Sequence, residues 1–288
     1  MSYVTFSPDG TMVASDGPAP DGENHGITIW NFSDGAFVRA IKARYLSDDW
    51  SIAVADGALL DARSGKTLLK DAALTDSIVA FSPDHSFAVA ASLERVPRVT
   101  MIRVSDGTIL RSFGTRYVSA IAVSPDGNII ATGHWDNVTL WDARSGKRLA
   151  LLRGFGRYIE SISFSADGRL LTAGTDYGEL QVWDFAGRKL LHKIDVGGAD
   201  VSAPAYSPDG KYVAVGTYAN GTLTLVDIVR GRVVQQIKVS DLGCGSAAFT
   251  PDGRYVIVPS TGGIPGLRRY EVGGTIRVYE LMRDATAE

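Results

Sequence analysis

One pentapeptide constrains the whole chain. Phe6-Ser7-Pro8-Asp9-Gly10 returns as FSPDH from Phe81, VSPDG from Val123, FSADG from Phe164, YSPDG from Tyr206 and FTPDG from Phe249. From Phe81 onward the copies stand 42, 41, 42 and 43 residues apart. The first interval, Phe6 to Phe81, is 75 residues, close to two periods, and its middle holds Leu46-Ser47-Asp48-Asp49-Trp50, an eroded copy in the same register. The chain therefore divides into seven units. The second is the shortest, because only 35 residues separate Leu46 from Phe81.

The chemistry of the pentapeptide makes it a hairpin turn. Proline presets φ, aspartate bonds back to its own backbone, and glycine accepts a left-handed conformation that other residues resist. The flanking runs should then be strands. In the fifth unit they are Tyr158 to Phe164, Arg169 to Ala173, Glu179 to Trp183 and Arg188 to Ile194, with turn residues between them. Four short strands per unit, repeated every ~40–45 residues, is the pattern of propeller blades. The predicted fold is all-β: a seven-bladed β-propeller of four-stranded antiparallel blades, formed as one domain over residues 1–288. No segment carries a helical period.

A strand lent from the N-terminus to the last blade would remove an exposed edge. Here Tyr3 to Phe6 already reads as an inner strand, and the last unit ends with Thr275 to Glu280 and the polar tail Leu281 to Glu288. The count leaves three strands for the last blade. Either the native protein continues upstream of Met1 or the ring closes without that clasp.

Third strands end in Trp141-Asp142 and Trp183-Asp184, with Trp30-Asn31, Val226-Asp227 and Leu60-Asp61 as variants. On these residues, and on the stretch Leu171 to Asp184 (LTAGTDYGELQVWD), the chain resembles the WD-repeat β-propeller family from about Tyr3 to Leu281. It does so as a divergent member. The family's Gly-His pair is absent, with Gly154-Phe155 its closest remnant, and Tyr177 stands where an aspartate is expected. The family's buried His–Asp–Ser–Trp network is therefore not expected, and blade packing should lean on apolar contacts.

Most candidate chemical motifs dissolve on inspection. Arg63-Ser64-Gly65-Lys66-Thr67 looks like the end of a phosphate-binding loop, but Leu60 stands where that motif needs glycine. Asp61 to Lys66 (DARSGK) also recurs at Asp142 to Lys147, so it reads as a structural turn. His25, His85, His134 and His192 lie in separate units, never at metal-ligand spacing. Cys244, the only cysteine, excludes an intrachain disulfide and reads as a small residue in a crowded inner strand. A net charge of −3 without basic runs argues against nucleic acid. No apolar stretch is long enough for a membrane span, and the N-terminus lacks the pattern of a signal peptide. No metal, no cofactor and a cytoplasmic location are expected.

The pattern that remains is on the loops. In the resembled family, the loops after second strands and those leading into the next blade share one face around the channel. Trp135, Tyr177 and Tyr218 fall there within one place of each other when units are aligned. Arg116-Tyr117 and Arg157-Tyr158 stand at equal offsets before Val123 and Phe164, and the longest loop, Pro259 to Gly274, carries Arg268-Arg269-Tyr270. Trp, Tyr and Arg dominate interface energetics. Tyr117 and Tyr158 have a second reading, as openings of inner strands packed between blades. The resemblance and this pattern imply a non-enzymatic scaffold binding a protein or peptide, with the arginines suggesting an acidic or phosphorylated segment. The alternative is a propeller enzyme, lactonase- or dehydrogenase-like, with its active site in the channel. The inner strands carry Ala, Ser, Ile and Val, not a ring of polar residues, which favours the scaffold.

Overall fold

The structure, a computed structural model, describes residues 4–16, 26–55, 57–71, 74–75, 77–92, 98–114, 117–240, 243–259, 270–272 and 276–280. Every copy of the pentapeptide is a turn between the first and second strands of a four-stranded sheet. The serine does more there than the sequence indicated. In blade five Ser165 donates to the Asp167 carboxylate at 2.6 Å and accepts the Leu170 N–H at 2.9 Å, while Arg169 N–H reaches the same carboxylate at 3.0 Å. The eroded copy keeps this arrangement: Ser47 donates to Asp49 at 2.6 Å and accepts from Ile52 at 3.0 Å. Where glycine is missing, His85 and Trp50 adopt the left-handed φ of 53° and 58° themselves.

Blade one consists of Val4–Phe6, Met12–Asp16, Gly26–Asn31 and Phe37–Lys42, and blade four of Ala120–Val123, Ile129–Gly133, Asn137–Asp142 and Arg148–Arg153. Blade five is Ile159–Phe164, Leu170–Thr175, Glu179–Asp184 and Lys189–Asp195, and blade six is Ala205–Tyr206, Tyr212–Thr217, Thr222–Asp227 and Arg232–Lys238. Each is an antiparallel meander with its strands in sequence order. Blade two is the smallest, its strands Tyr45–Leu46, Ile52–Ala55, Ala58–Asp61 and Thr67–Lys70 being 2, 4, 4 and 4 residues long. Among the described residues there is no α-helix. Both DARSGK copies form the turn from third to fourth strand: Asp61 and Asp142 each accept the N–H of a serine three residues on at 2.6 Å.

The propeller is seven-bladed and its ring is closed. Seven hydrophobic clusters form its core, one between each pair of neighbouring blades. The closing cluster brings Val4, Phe6, Val13 and Trp30 of blade one against Ile257, Ile276 and Val278 of blade seven. Blade seven has three strands of the ordinary run, Ala248–Phe249, Tyr255–Pro259 and Ile276–Glu280. Its outer position is taken by Tyr270–Val272, which comes from the loop before the third strand and pairs along it, Glu271 opposite Arg277. Among the described residues the ring thus closes by packing, with Tyr270–Val272 and no N-terminal strand at blade seven's outer position. Residues 281–288 lie outside the described residues.

Three seams are drawn especially tight. Second strands of blades four, five and six end near Gly133, Gly174 and Gly216, and the next blade's chain passes directly over each one. A Cβ on Gly133 would lie 2.9 Å from Ile159 Cγ2, one on Gly174 2.6 Å from Val201 Cγ1, and one on Gly216 2.1 Å from the Gly245 carbonyl oxygen. The residue after each glycine accepts a backbone hydrogen bond across the seam. Ile159 donates to His134 at 3.1 Å, Val201 to Thr175 at 3.2 Å and Cys244 to Thr217 at 3.2 Å.

Candidate functional site

The seam bonds place the residues before Ile159 and Val201 beside the turns that follow the neighbouring second strands. Trp135 and Tyr158 therefore meet, with ring centroids 5.7 Å apart edge to face, and Tyr117 lies 6.2 Å from Tyr158. Trp135 is 73% exposed, Tyr177 64% and Tyr117 48%, whereas Tyr158 between them is half-buried. Burial, then hydrogen bonding with Tyr117, pushes the Tyr158 phenol above its ordinary value. Of the two readings for Tyr117 and Tyr158, the rim reading describes Tyr117, and Tyr158 is the ring that holds its neighbours together.

The Arg157 guanidinium sits 3.8 Å over the Tyr177 ring. Tyr218 is half-buried rather than exposed: the chain turns at Gly243, where a Cβ would come within 3.0 Å of the Tyr218 ring. Arg116, Arg268 and Arg269 lie outside the described residues, as do the side chain of Tyr270 and most of the loop Pro259 to Gly274. The rim brought together is thus Tyr117, Trp135, Tyr158, Arg157 and Tyr177, from blades four and five.

Sequence reasoning missed the carboxylates beside these rings. Glu160 is half-buried on the first strand of blade five, and burial, then the charges of Asp200 and Asp176, pushes its carboxyl above the ordinary value. Asp176 donates its N–H to the Tyr158 carbonyl at 3.0 Å, and Asp200 donates its own to the Asp176 carbonyl at 3.4 Å. Asp176 Oδ1 is buried without a hydrogen-bond donor among the described residues. Asp200 has φ 54°, a left-handed backbone that Asp tolerates better than most residues. A signal was present: when seams are aligned, Asp176 occupies the place of Trp135, and Asp200 that of Tyr158.

Blade four also contains a polar network that the sequence reading did not expect. Trp141 Nε1 donates to Thr132 Oγ1 at 2.8 Å, Thr132 meets His134 Nε2 at 2.9 Å, and His134 Nδ1 meets the Tyr117 carbonyl at 2.9 Å. A carbonyl only accepts, so Nδ1 carries the proton and Nε2 accepts from Thr132. His134 is therefore a buried support beneath Tyr117, in a shorter relative of the four-residue network that the sequence reading did not expect. In blade five Gln181 replaces the hydroxyl: it accepts from Trp183 Nε1 at 3.1 Å and donates to the Gly154 carbonyl at 3.1 Å. Phe155 stacks on Trp183 at 5.7 Å, so the Gly154-Phe155 remnant keeps its structural place.

Other chemistry finds little footing. Cys244 is buried, and burial pushes its thiol up to about 12, far from a thiolate at neutral pH. Among the described residues no group of three or more His, Cys, Asp or Glu side chains is arranged to hold a metal ion.

Comparison with known proteins follows the architecture. A family model described as WD domain, G-beta repeat, matches residues 105–142, and one described as Cytochrome D1 heme domain matches residues 127–245. Autophagy-related protein 16 of Arabidopsis thaliana is 26% identical over 235 residues, covering 74% of this chain and 45% of that protein. Periodic tryptophan protein 2 homolog of Schizosaccharomyces pombe is 32% identical over 117 residues, 40% of this chain and 14% of its own. Small ribosomal subunit protein RACK1z of Arabidopsis thaliana is 36% identical over 96 residues, 33% and 28% of the two chains. The chain spans less than half the length of each. A chain in a structure described as "Crystal Structure of Mitotic Checkpoint Complex" shares the fold, with TM-score 0.77 at 16% identity, over 98% of this chain and 87% of that one.

A heme would need an axial ligand, and His134, which lies within residues 127–245, does not offer one. Both ring nitrogens of His134 are engaged, and His192 lies on the outer strand of blade five, its ring packed where a Cβ on Gly231 would be 2.2 Å away.

Proposed function

Since the chain is a divergent WD-repeat β-propeller, we propose that it is a non-enzymatic scaffold that binds a protein or peptide on the face carrying Tyr117, Trp135, Tyr158 and Tyr177. One observation carries this reading: large aromatic side chains from two blades cluster at the surface, where the fold itself needs only small turn residues. Water around exposed rings is released when a partner covers them, and clusters of such residues mark interaction sites. Backbone bonds across the seams hold the loops on rigid strands, so little ordering entropy is lost on binding.

Affinity capture with the intact protein, followed by mass spectrometry, would supply the partner for titration. Trp135→Ala and Tyr177→Ala should each weaken its binding by about 1–3 kcal/mol, with the thermal midpoint nearly unchanged. Variants that bind as tightly as the parent, or that unfold while the folded fraction keeps its affinity, would place the site elsewhere.

A further inference from the structure

Chain chemistry and turn geometry coincide at one asparagine outside the aromatic cluster. Asn220 alone is followed by glycine, whereas Asn24, Asn31, Asn128 and Asn137 precede His, Phe, Ile and Val. It lies between the second and third strands of blade six, in the turn that corresponds to those of Trp135 and Tyr177. Asn220 is half-buried and Ala219 beside it is exposed, so water reaches the turn. An asparagine side-chain amide can be attacked by the backbone nitrogen of the next residue. Glycine, without a Cβ, hinders that approach least. Closing a five-membered ring within one chain also needs no encounter of two molecules, which removes much of the entropic barrier.

Three contacts favour this step. The Thr217 hydroxyl donates to Asn220 Oδ1, so a donor already points at the oxygen where negative charge develops when the amide carbon is attacked. The Gly221 N–H donates to no acceptor among the described residues, so no hydrogen bond holds its nitrogen back. Lys238 Nζ donates to the Asn220 backbone carbonyl at 2.6 Å. It sets a cation beside the forming anion and polarises the second carbonyl of the ring.

We propose that Asn220 is a site of spontaneous deamidation. The Gly221 nitrogen gives its proton to solvent hydroxide and bonds to Asn220 Cγ. The Cγ–Nδ2 bond then breaks, and Nδ2 takes a proton from water and leaves as ammonia. Water opens the succinimide at Cγ to give aspartate, or at the backbone carbonyl to give isoaspartate. Either product adds a negative charge to a loop that corresponds to those of Trp135 and Tyr177. The isoaspartyl form also adds a methylene to the main chain where there is no slack. The Ser240 carbonyl oxygen and the Gly243 nitrogen crowd the place where a Cβ of Gly221 would stand, and a Cβ on Gly198 would lie 2.9 Å from Asn220 Cγ. The turn must then shift, and with it Tyr218, which packs against Gly243. The chemistry is independent of whether that face binds a partner.

The test incubates the full chain in neutral and in mildly alkaline buffer, well below its thermal midpoint, and follows tryptic peptides by mass spectrometry. Cleavage after Lys211 and Arg230 isolates Asn220, while Asn128 and Asn137 share another peptide and serve as references. The Asn220 peptide should convert to its acid forms, faster at the higher pH, with isoaspartate detected by isoaspartyl methyltransferase labelling. The references should stay unchanged. Thr217→Val should slow the conversion several-fold, and Thr217→Ser, which keeps the hydroxyl, should restore it. Conversion of Asn220 no faster than that of Asn128 and Asn137 would overturn the proposal, as would a folded Thr217→Val chain that converts as fast as the parent. If Thr217→Val unfolds, the parent decides alone. Conversion in native buffer at least as fast as in urea supports the role of the turn, and faster conversion in urea would show that the fold protects Asn220 and sink the idea.

Discussion

Blades one and four place a tryptophan at the same point of the same strand and treat its indole differently. Trp30 pairs with Val13 as Trp141 pairs with Ile130, so Ser15 corresponds to Thr132. In blade four the indole N–H reaches Thr132 and through it His134. In blade one neither Trp30 Nε1 nor Ser15 Oγ has a partner among the described residues, and Trp30 is held by Phe37 at 5.7 Å and by the apolar cluster with blade seven. Shape alone is enough to seat the ring. The hydrogen bonds are an addition, and blade four uses them to support the segment that carries Tyr117.

The seam glycines mark the strongest departure between the two regions. Blade one has Asp16 where blade four has Gly133. Gly216→Ala would drive a Cβ into the Gly245 carbonyl, a backbone atom that cannot swing aside. The expected loss is about 3 kcal/mol, as for forced overpacking, read from denaturant unfolding. A stability within a few tenths of the parent would show that the seam can open without cost.

Next in size is the network itself. Thr132→Val makes blade four resemble blade one by leaving the Trp141 N–H and His134 Nε2 without their shared hydroxyl, and should cost about 2 kcal/mol. Trp30→Phe is the converse. It removes an indole N–H that had no described partner, so it should cost less than the ~3–5 kcal/mol of a full ring deletion and stay within about 1 kcal/mol of the parent. Equal losses from the two variants would mean that the network adds nothing to packing.

The smallest effect concerns what the two blades share. Asp9 and Asp126 are held below the ordinary carboxylate value of 3.8 first by the hydroxyls of Ser7 and Ser124, then by further hydrogen bonds in their turns. A carboxyl with a lowered folded-state pKa contributes stability above its unfolded value and loses it as pH falls through the folded one. The thermal midpoint should therefore drop as pH falls below about 4, and Asp9→Asn or Asp126→Asn should flatten that drop by similar amounts. Unequal flattening would show that the turns are not equivalent.

How legible the molecule was depends on the range of the interactions. The turn residues act within five positions of one another, and strand alternation within a sheet is set by a period of two, so both are written locally. The pentapeptide, its spacing and the eroded copy at Leu46 to Trp50 were therefore enough to determine seven blades, their four-stranded layout and a short second blade. The places of Trp135 and Tyr177 on one face also followed from repeat alignment.

Tertiary structure decided what lies between blades. The link from His134 to the Tyr117 carbonyl, the half-burial of Tyr218 and the outer strand Tyr270–Val272 all depend on neighbours that no local pattern names. The meeting of Glu160, Asp176 and Asp200 is of the same kind. Each is an ordinary surface residue in its own segment, and the Val201 to Thr175 seam brings Asp200 beside Asp176. Contacts of this kind act across space and not along the chain, so the surroundings of the rim had to wait for the fold.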